Sequence, residues 1–361
     1  MSKRFMIVFL AMTMLFLVSC AGFDEPAAED GVQQTESVIA GTDSNDSESQ
    51  TAGEPLTNDN ANTGSTIPQT GMTQAVPAQY MEPADQQGSV VRIEYDSLDY
   101  VRDSEPVIKT AYVYLPYGYD ESDEETRYDI IYLMHGWGGQ EGEYFTFGNG
   151  SIKNMLDHLI ENGEIKPVIA VSPTFYNENS DRSFGGSDQE LRQFHQDFVN
   201  HLMPAVEGRF HTYAQSADSE DLIASRDHRA FAGFSLGSVT TWMEFCYDSE
   251  YIRYFLPMSG ACWYYGGYGN YYPEETCDFF EDLIEEHDLN ERGYFIYAAT
   301  GTSDTVRDQV EIQMAEMLER NDVFTPDHVV YYQKEGGRHD LNAVQEYIYN
   351  ALPLFFENSD I

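Results

Sequence analysis

Basic residues are scarce in this chain: 19 Lys and Arg stand against 62 Asp and Glu in 361 residues, a formal net charge of −43. Phosphate contacts need cations, so this balance excludes nucleic acid as a partner. The surplus acid reads as a solvated surface that keeps the protein soluble. With only four cysteines the chain is no disulfide scaffold, and Cys246, Cys262 and Cys277 lack the C-x-x-C spacing of structural zinc sites. Three cysteines cannot all pair among themselves, so at least one is a free thiol or bonds another chain. No Asp-x-Asp-x-Asp-Gly loop is present to hold calcium. Aromatic residues are sparse up to about residue 88 and abundant beyond it, so only the later part, roughly 270 residues, can bury a large core.

Long apolar runs are missing too, with one exception. Lys3 and Arg4 precede an apolar run from Phe5 to Val18, which is too short for a comfortable membrane span and has the form of an export signal. It ends in Leu17-Val-Ser-Cys20-Ala-Gly22, which resembles the lipobox of bacterial lipoproteins. The resemblance implies a lipoprotein signal over residues 1–20, acylation at Cys20, and an extracytoplasmic protein anchored by lipid to the bacterial cell membrane. Residues 21–88 hold no Lys or Arg and little to bury, so nothing offsets the entropy of ordering them. They are expected to form a disordered acidic linker spanning roughly 45 Å root-mean-square.

Residues 89–361 are expected to form one domain. Val90-Val-Arg-Ile-Glu-Tyr95 and Lys109-Thr-Ala-Tyr-Val-Tyr-Leu115 alternate as strands, and Asp129-Ile-Ile-Tyr-Leu-Met134 is continuously apolar, as in a strand buried on both faces. Further strand patterns at Val168–Val171, Ala230 into the turn before Ser235, Tyr254–Met258, Tyr294–Ala298 and His328–Tyr332 alternate with helical ones. One of these helices is expected from about Asp188 to Glu207. This alternation implies an α/β fold of the hydrolase type, a mostly parallel central sheet with helices on both faces and functional loops at the strand carboxyl ends.

Arg229-Ala-Phe-Ala-Gly-Phe-Ser-Leu-Gly-Ser238 runs a short apolar strand through Gly233-x-Ser235-x-Gly237 directly into a helical pattern. That context marks a nucleophile elbow, which lifts the serine hydroxyl clear of the sheet. A nucleophilic Ser235 needs a base, and His339 in Gly336-Gly-Arg-His-Asp340, just past the last strand, is the histidine in the right order. His158, His195, His201 and His287 fall on helical patterns and read as solvated or core histidines. The acid is expected at Asp304, past Ala298-Ala-Thr-Gly301, with Asp308 as the rival inside the following helix. Backbone amides of Leu236 and of Trp137, in His135-Gly-Trp-Gly-Gly139, are candidates for an oxyanion hole.

From here the chain resembles the feruloyl-esterase modules of carbohydrate esterase family one, over roughly residues 90–357. Gly-Phe-Ser235-Leu-Gly with Thr240-Thr-Trp242, Pro257-Met-Ser-Gly260 with Trp263, Ala298-Ala-Thr-Gly with Asp304, and Tyr347-Ile-Tyr-Asn-Ala-Leu-Pro-Leu-Phe-Phe356 match in order. The resemblance implies hydrolysis of feruloyl and related esters of plant arabinoxylan through an acyl-enzyme on Ser235, with no cofactor and no metal. It also implies that Trp263 contacts the phenolic acyl group. The chain departs from the family at Asp340, where a tryptophan often follows the histidine, and at Ser238, where the elbow usually has glycine. Acetyl-xylan or generic short-acyl esterase activity stays open as an alternative, as does a non-catalytic glycan-binding surface lipoprotein.

Overall fold

The computed structural model describes residues 71–146, 150–266 and 271–356. The signal expected over residues 1–20, Cys20, and most of the expected linker lie outside the described residues. Among the described residues no helix is long and apolar enough to cross a membrane.

The strands are β1 (Gly71–Met72), β2 (Ser89–Asp99), β3 (Glu105–Leu115), β4 (Asp129–Met134), β5 (Val168–Ser172), β6 (Arg229–Phe234), β7 (Tyr254–Met258), β8 (Phe295–Gly301) and β9 (Val329–Lys334). They form one sheet in the order β1-β9-β8-β7-β6-β4-β5-β3-β2. β2, β3 and β5 pair antiparallel at one side, and every other pairing is parallel. The helices are α1 (Glu143–Thr146), α2 (Ser151–Glu161), α3 (Phe184–Asp197), α4 (Met203–Glu207), α5 (Ser219–Ala224), α6 (Leu236–Asp248), α7 (Pro273–Glu286), α8 (Leu289–Arg292), α9 (Arg307–Glu319) and α10 (Leu341–Ala351). The mostly parallel α/β architecture agrees with the expectation from the alternating pattern.

Burial follows the sequence pattern strand by strand. All six residues of β4 and all five of β7 are buried, as continuous apolar strands must be when helices cover both faces. One layer of core gathers Tyr132, Phe198, Phe231, Trp242 and Phe280, and the other gathers Tyr114, Leu133, Leu156, Tyr347 and Ile348. At the foot of β6, the fully buried Arg229 donates from Nε and Nη2 to both oxygens of Glu207, at 2.6 and 2.7 Å, and the Tyr132 hydroxyl donates to the same carboxylate at 3.0 Å. Such a pair keeps its charges only because each is met by fixed partners.

Two boundaries differ from the sequence expectation. The helix expected from Asp188 to Glu207 starts earlier, at Phe184, and a π-type turn at Phe198–Leu202 divides it before α4. Pro204, which has no N–H to continue a helical ladder, stands directly behind that turn. The linker expected to reach residue 88 ends sooner, because residues 71–88 lie on the fold. β1 pairs with β9, Thr73 Oγ1 donates to Glu346 at 3.0 Å, Tyr80 stacks on His158 with centroids 4.8 Å apart, and the Gly88 amide donates to Asp157 at 2.7 Å. Backbone and polar side-chain bonds and little apolar burial hold this segment, which is why its polar composition concealed it.

Candidate active site

The carboxyl ends of β4, β6, β7, β8 and β9 come together along one edge of the sheet, and the conspicuous residues meet there. Ser235, between β6 and α6, has φ 59° and ψ −117°, a conformation that L-residues rarely adopt. The turn is possible only because its neighbours carry no side chain. A methyl group on Gly233 would collide with the Gly237 backbone, and one on Gly237 would collide with the Met134 carbonyl at the end of β4.

His339 and Asp304 complete the arrangement. His339 Nε2 is 2.9 Å from Ser235 Oγ, and His339 Nδ1 is 2.9 Å from Asp304 Oδ1. A carboxylate can only accept, so Nδ1 carries the proton, and Nε2 is left as the acceptor for the serine hydroxyl. Burial pulls the Asp304 carboxyl upward, but hydrogen bonds from His339 and the Val306 amide outweigh it and hold the group below its ordinary value. The loops are laced to each other: the Ser303 amide donates to the Gly337 carbonyl at 3.0 Å, and the Gly336 amide donates to Thr302 Oγ1 at 2.8 Å. The Phe234 ring lies 4.5 Å from the imidazole and limits its swing. The rival Asp308 points into solvent, its side chain 88% exposed.

On the β4 side, Gly136 lies against Ser235 and the Trp137 peptide comes next. His135 holds this loop from below. Its Nδ1 donates to the Gly136 carbonyl at 2.8 Å, so its Nε2 accepts from Thr174 Oγ1 at 2.7 Å. Burial lowers this histidine to about 4, so it stays neutral and structural. The Leu236 amide opens the first turn of α6, directly after Ser235.

The aromatic residues are layered. Trp263, expected as a substrate wall, is buried, and its carbonyl accepts from Arg192 Nη1 at 3.0 Å. Phe184 lies between it and Trp137, with centroids 6.1 Å from Trp263 and 5.5 Å from Trp137. Trp137 is 55% exposed and its Nε1 donates to the Arg182 carbonyl at 3.1 Å. Sequence reading missed Phe184 because 47 positions separate it from Trp137, although Phe184 opens α3 just after the capping Ser183.

Two further residues support the site. Ser259, directly after β7, has φ 56°, is buried, and donates its amide to the Ala299 carbonyl at 2.8 Å. It lies within Pro257-Met-Ser-Gly260, so the motif was visible although the role was not. Asp340, where the family often has tryptophan, caps α10: its Oδ1 accepts from the amides of Asn342 and Ala343 at 3.0 and 3.1 Å. Histidines of the helical stretches lie beside aromatic residues. His195 stacks on Tyr247 with centroids 4.1 Å apart, and the Tyr100 hydroxyl lies 2.9 Å from His201 Nε2. Among the described residues no cluster of His, Cys, Asp and Glu could hold a metal ion.

A family model described as putative esterase matches residues 109–355. Endo-1,4-beta-xylanase Y of Acetivibrio thermocellus is 34% identical over 285 residues, covering 78% of this chain and 24% of that protein. An endo-1,4-beta-xylanase/feruloyl esterase of Xylanibacter ruminicola is 32% identical over 174 residues, covering 47% of this chain and 21% of that protein. The chain thus spans about a quarter or less of the length of these relatives. A serine-to-alanine mutant of the feruloyl esterase module from Clostridium thermocellum, complexed with sinapinate, superposes with a TM-score of 0.67 at 33% identity, covering 79% of this chain and 94% of that one. A ferulic acid esterase from Anaeromyces mucronatus shares the fold at 19% identity, with a TM-score of 0.58 over 79% of this chain and 98% of that one.

Proposed function

Because the chain belongs to the putative esterase family and is a carboxylic ester hydrolase, we propose that it releases hydroxycinnamic acids from plant cell-wall arabinoxylan through an acyl-enzyme on Ser235. The observation that carries this reading is the unbroken relay from Asp304 through His339 to Ser235, with both hydrogen bonds at 2.9 Å.

His339 Nε2 takes the Ser235 proton as Oγ attacks the ester carbonyl carbon. The amides of Trp137 and Leu236 stabilise the oxyanion that develops. As the tetrahedral centre collapses, the imidazolium gives its proton to the departing sugar alkoxide, leaving the acyl group on Ser235. Water, deprotonated by the same His339 Nε2, then attacks the acyl carbon, and the acid leaves as Oγ recovers its proton. Asp304 keeps Nδ1 protonated throughout and stabilises the imidazolium. No step calls for a cofactor.

Trp137, Phe184 and Trp263 offer flat surfaces suited to an aromatic acyl group. The burial of Trp263 favours the second reading, an acetyl-xylan or short-acyl esterase, because it leaves less open indole for a ring to cover. A panel of methyl ferulate, acetylated xylan and p-nitrophenyl acetate separates the two. Ser235→Ala should lower turnover on the preferred ester by roughly four to six orders of magnitude while the fold persists; near-normal hydrolysis by this variant would refute the acyl-enzyme.

The lipobox-like Leu17-Val-Ser-Cys20 and the acidic segment after it support an extracytoplasmic position, held to the cell membrane by lipid on Cys20. On this reading Cys20→Ala leaves the protein unprocessed or frees it from the membrane fraction. Wild-type protein found soluble, with no lipid by mass spectrometry, would rule the anchor out.

A further inference from the structure

Cys246 lies on α6, the helix that begins directly after Ser235, and Cys262 lies on the loop after β7, immediately before Trp263. Their sulfurs are 4.0 Å apart, and both side chains are buried. The Cys262 backbone is fixed, its amide donating to Gln313 Oε1 at 2.7 Å. A disulfide places its sulfurs about 2.05 Å apart. The two sulfurs therefore need to close by about 2 Å to bond. Cys277, on α7, is buried as well but has no sulfur within the same reach among the described residues.

We propose that Cys246 and Cys262 form a disulfide that ties the Trp263 loop to the helix of the nucleophile. The oxidant is a small or protein disulfide of the glutathione class. One cysteine thiolate attacks a sulfur of that disulfide and expels one thiol. The second cysteine attacks the resulting mixed disulfide and expels the other, so two protein thiols become one S–S bond and the oxidant leaves as two thiols. Burial, and then the neighbouring Cys262, push the Cys246 thiol well above its ordinary value, so the folded protein offers little thiolate. The bond consequently forms while α6 is still open.

The link has two effects. It shortens the free chain between residues 246 and 262 in the unfolded state, which stabilises the fold. It also fixes the residue next to Trp263, whose carbonyl Arg192 already holds, so the layer beneath Phe184 gains a second tie. Neither effect depends on which ester the site prefers.

The test uses the full chain, incubated with glutathione disulfide in urea just below its unfolding midpoint, or with reduced glutathione, and then returned to buffer. Folding is checked by circular dichroism, and the cysteines are mapped by alkylation in denaturant and mass spectrometry. The expected result is a linked pair of peptides carrying Cys246 and Cys262 in the oxidised sample, with Cys277 alkylated. The link should persist in Cys277→Ser and vanish in Cys246→Ser and in Cys262→Ser. Tm should be higher by roughly 5 °C or more in the linked protein than in the reduced one. Free Cys246 and Cys262 in the oxidised, folded protein, a link through Cys277, or equal Tm values would overturn the proposal.

Discussion

Ser238 Oγ donates a 2.8 Å hydrogen bond to the carbonyl of Gly260, which also accepts from Trp242 Nε1 at 3.0 Å. The elbow's extra hydroxymethyl is thus accommodated by a residue without a side chain on the loop just after β7. A methyl on Gly260 would lie 2.8 Å from the Ser235 carbonyl oxygen and 2.9 Å from Ser238 Cβ. Gly260→Ala should therefore cut kcat by displacing Ser235. Ser238→Ala should lose only about 1 kcal/mol of stability, since Trp242 still satisfies the carbonyl. Urea unfolding and initial-rate assays on both variants check this; full activity in Gly260→Ala would contradict it.

Asp304→Asn keeps the shape of the acid but reverses its hydrogen bonding. Its amide donates to His339 Nδ1, so the ring proton moves to Nε2, where it cannot accept from Ser235. Turnover is expected to fall by roughly three to four orders of magnitude, with Tm little changed. A loss below tenfold would show that His339 does not need the carboxylate.

Trp263→Ala should separate aromatic from acetyl substrates. Removing the indole takes away the support beneath Phe184, whose stacking on a phenolic ring would contribute about 0.5–1.5 kcal/mol beyond burial, so kcat/KM on methyl ferulate should drop by up to about tenfold. Acetyl ester hydrolysis should change little. Since Trp263 is buried behind Phe184, Phe184→Ala should move selectivity in the same direction. Equal losses on both esters would make this aromatic layer purely structural.

Glu244 and Asp248 lie one turn apart on α6, and both are buried. Burial raises Asp248 to about 7, and burial followed by the Asp248 charge raises Glu244 well above its ordinary value. The unfolded chain releases these protons near pH 4, so between about pH 4 and 7 the folded state binds more protons than the unfolded one. Stability contributed by this pair is therefore present at low pH and lost as pH rises through that window. Tm, followed from pH 5 to pH 8, should fall in the wild type and fall less in Glu244→Gln. A parallel decline in both proteins would show that other groups set the slope.

The parts of the site that were legible in sequence are those whose chemistry is local. Gly233, Ser235 and Gly237 declare a turn by their own steric needs, and His339 and Asp304 follow strand ends in an order that the alternation of elements makes countable. What stayed hidden depends on contact across the chain. The Phe184 layer between Trp137 and Trp263 exists only after α3 docks beside the β4 loop, and the bond from the Ser259 amide to the Ala299 carbonyl needs β7 beside β8. Asp340 was visible as a departure, but its reason, the cap it makes on α10, appears only in the hydrogen bonds. β1 has no sequence signature because its bonds to β9 come from backbone groups that every residue carries.

That short pairing covers part of one edge of the sheet. With Gly71 and Met72 in place, β9 is flanked by β8 on one side and β1 on the other, so part of its outer row of amides and carbonyls is already spoken for. A chain cut to begin at Ser89 would keep the catalytic residues yet present β9 as an open border, the kind of border on which sheets of separate molecules join and precipitate. The stretch from Gly71 to Gly88 thus covers part of this edge of the sheet, although it contributes no atom to the chemistry.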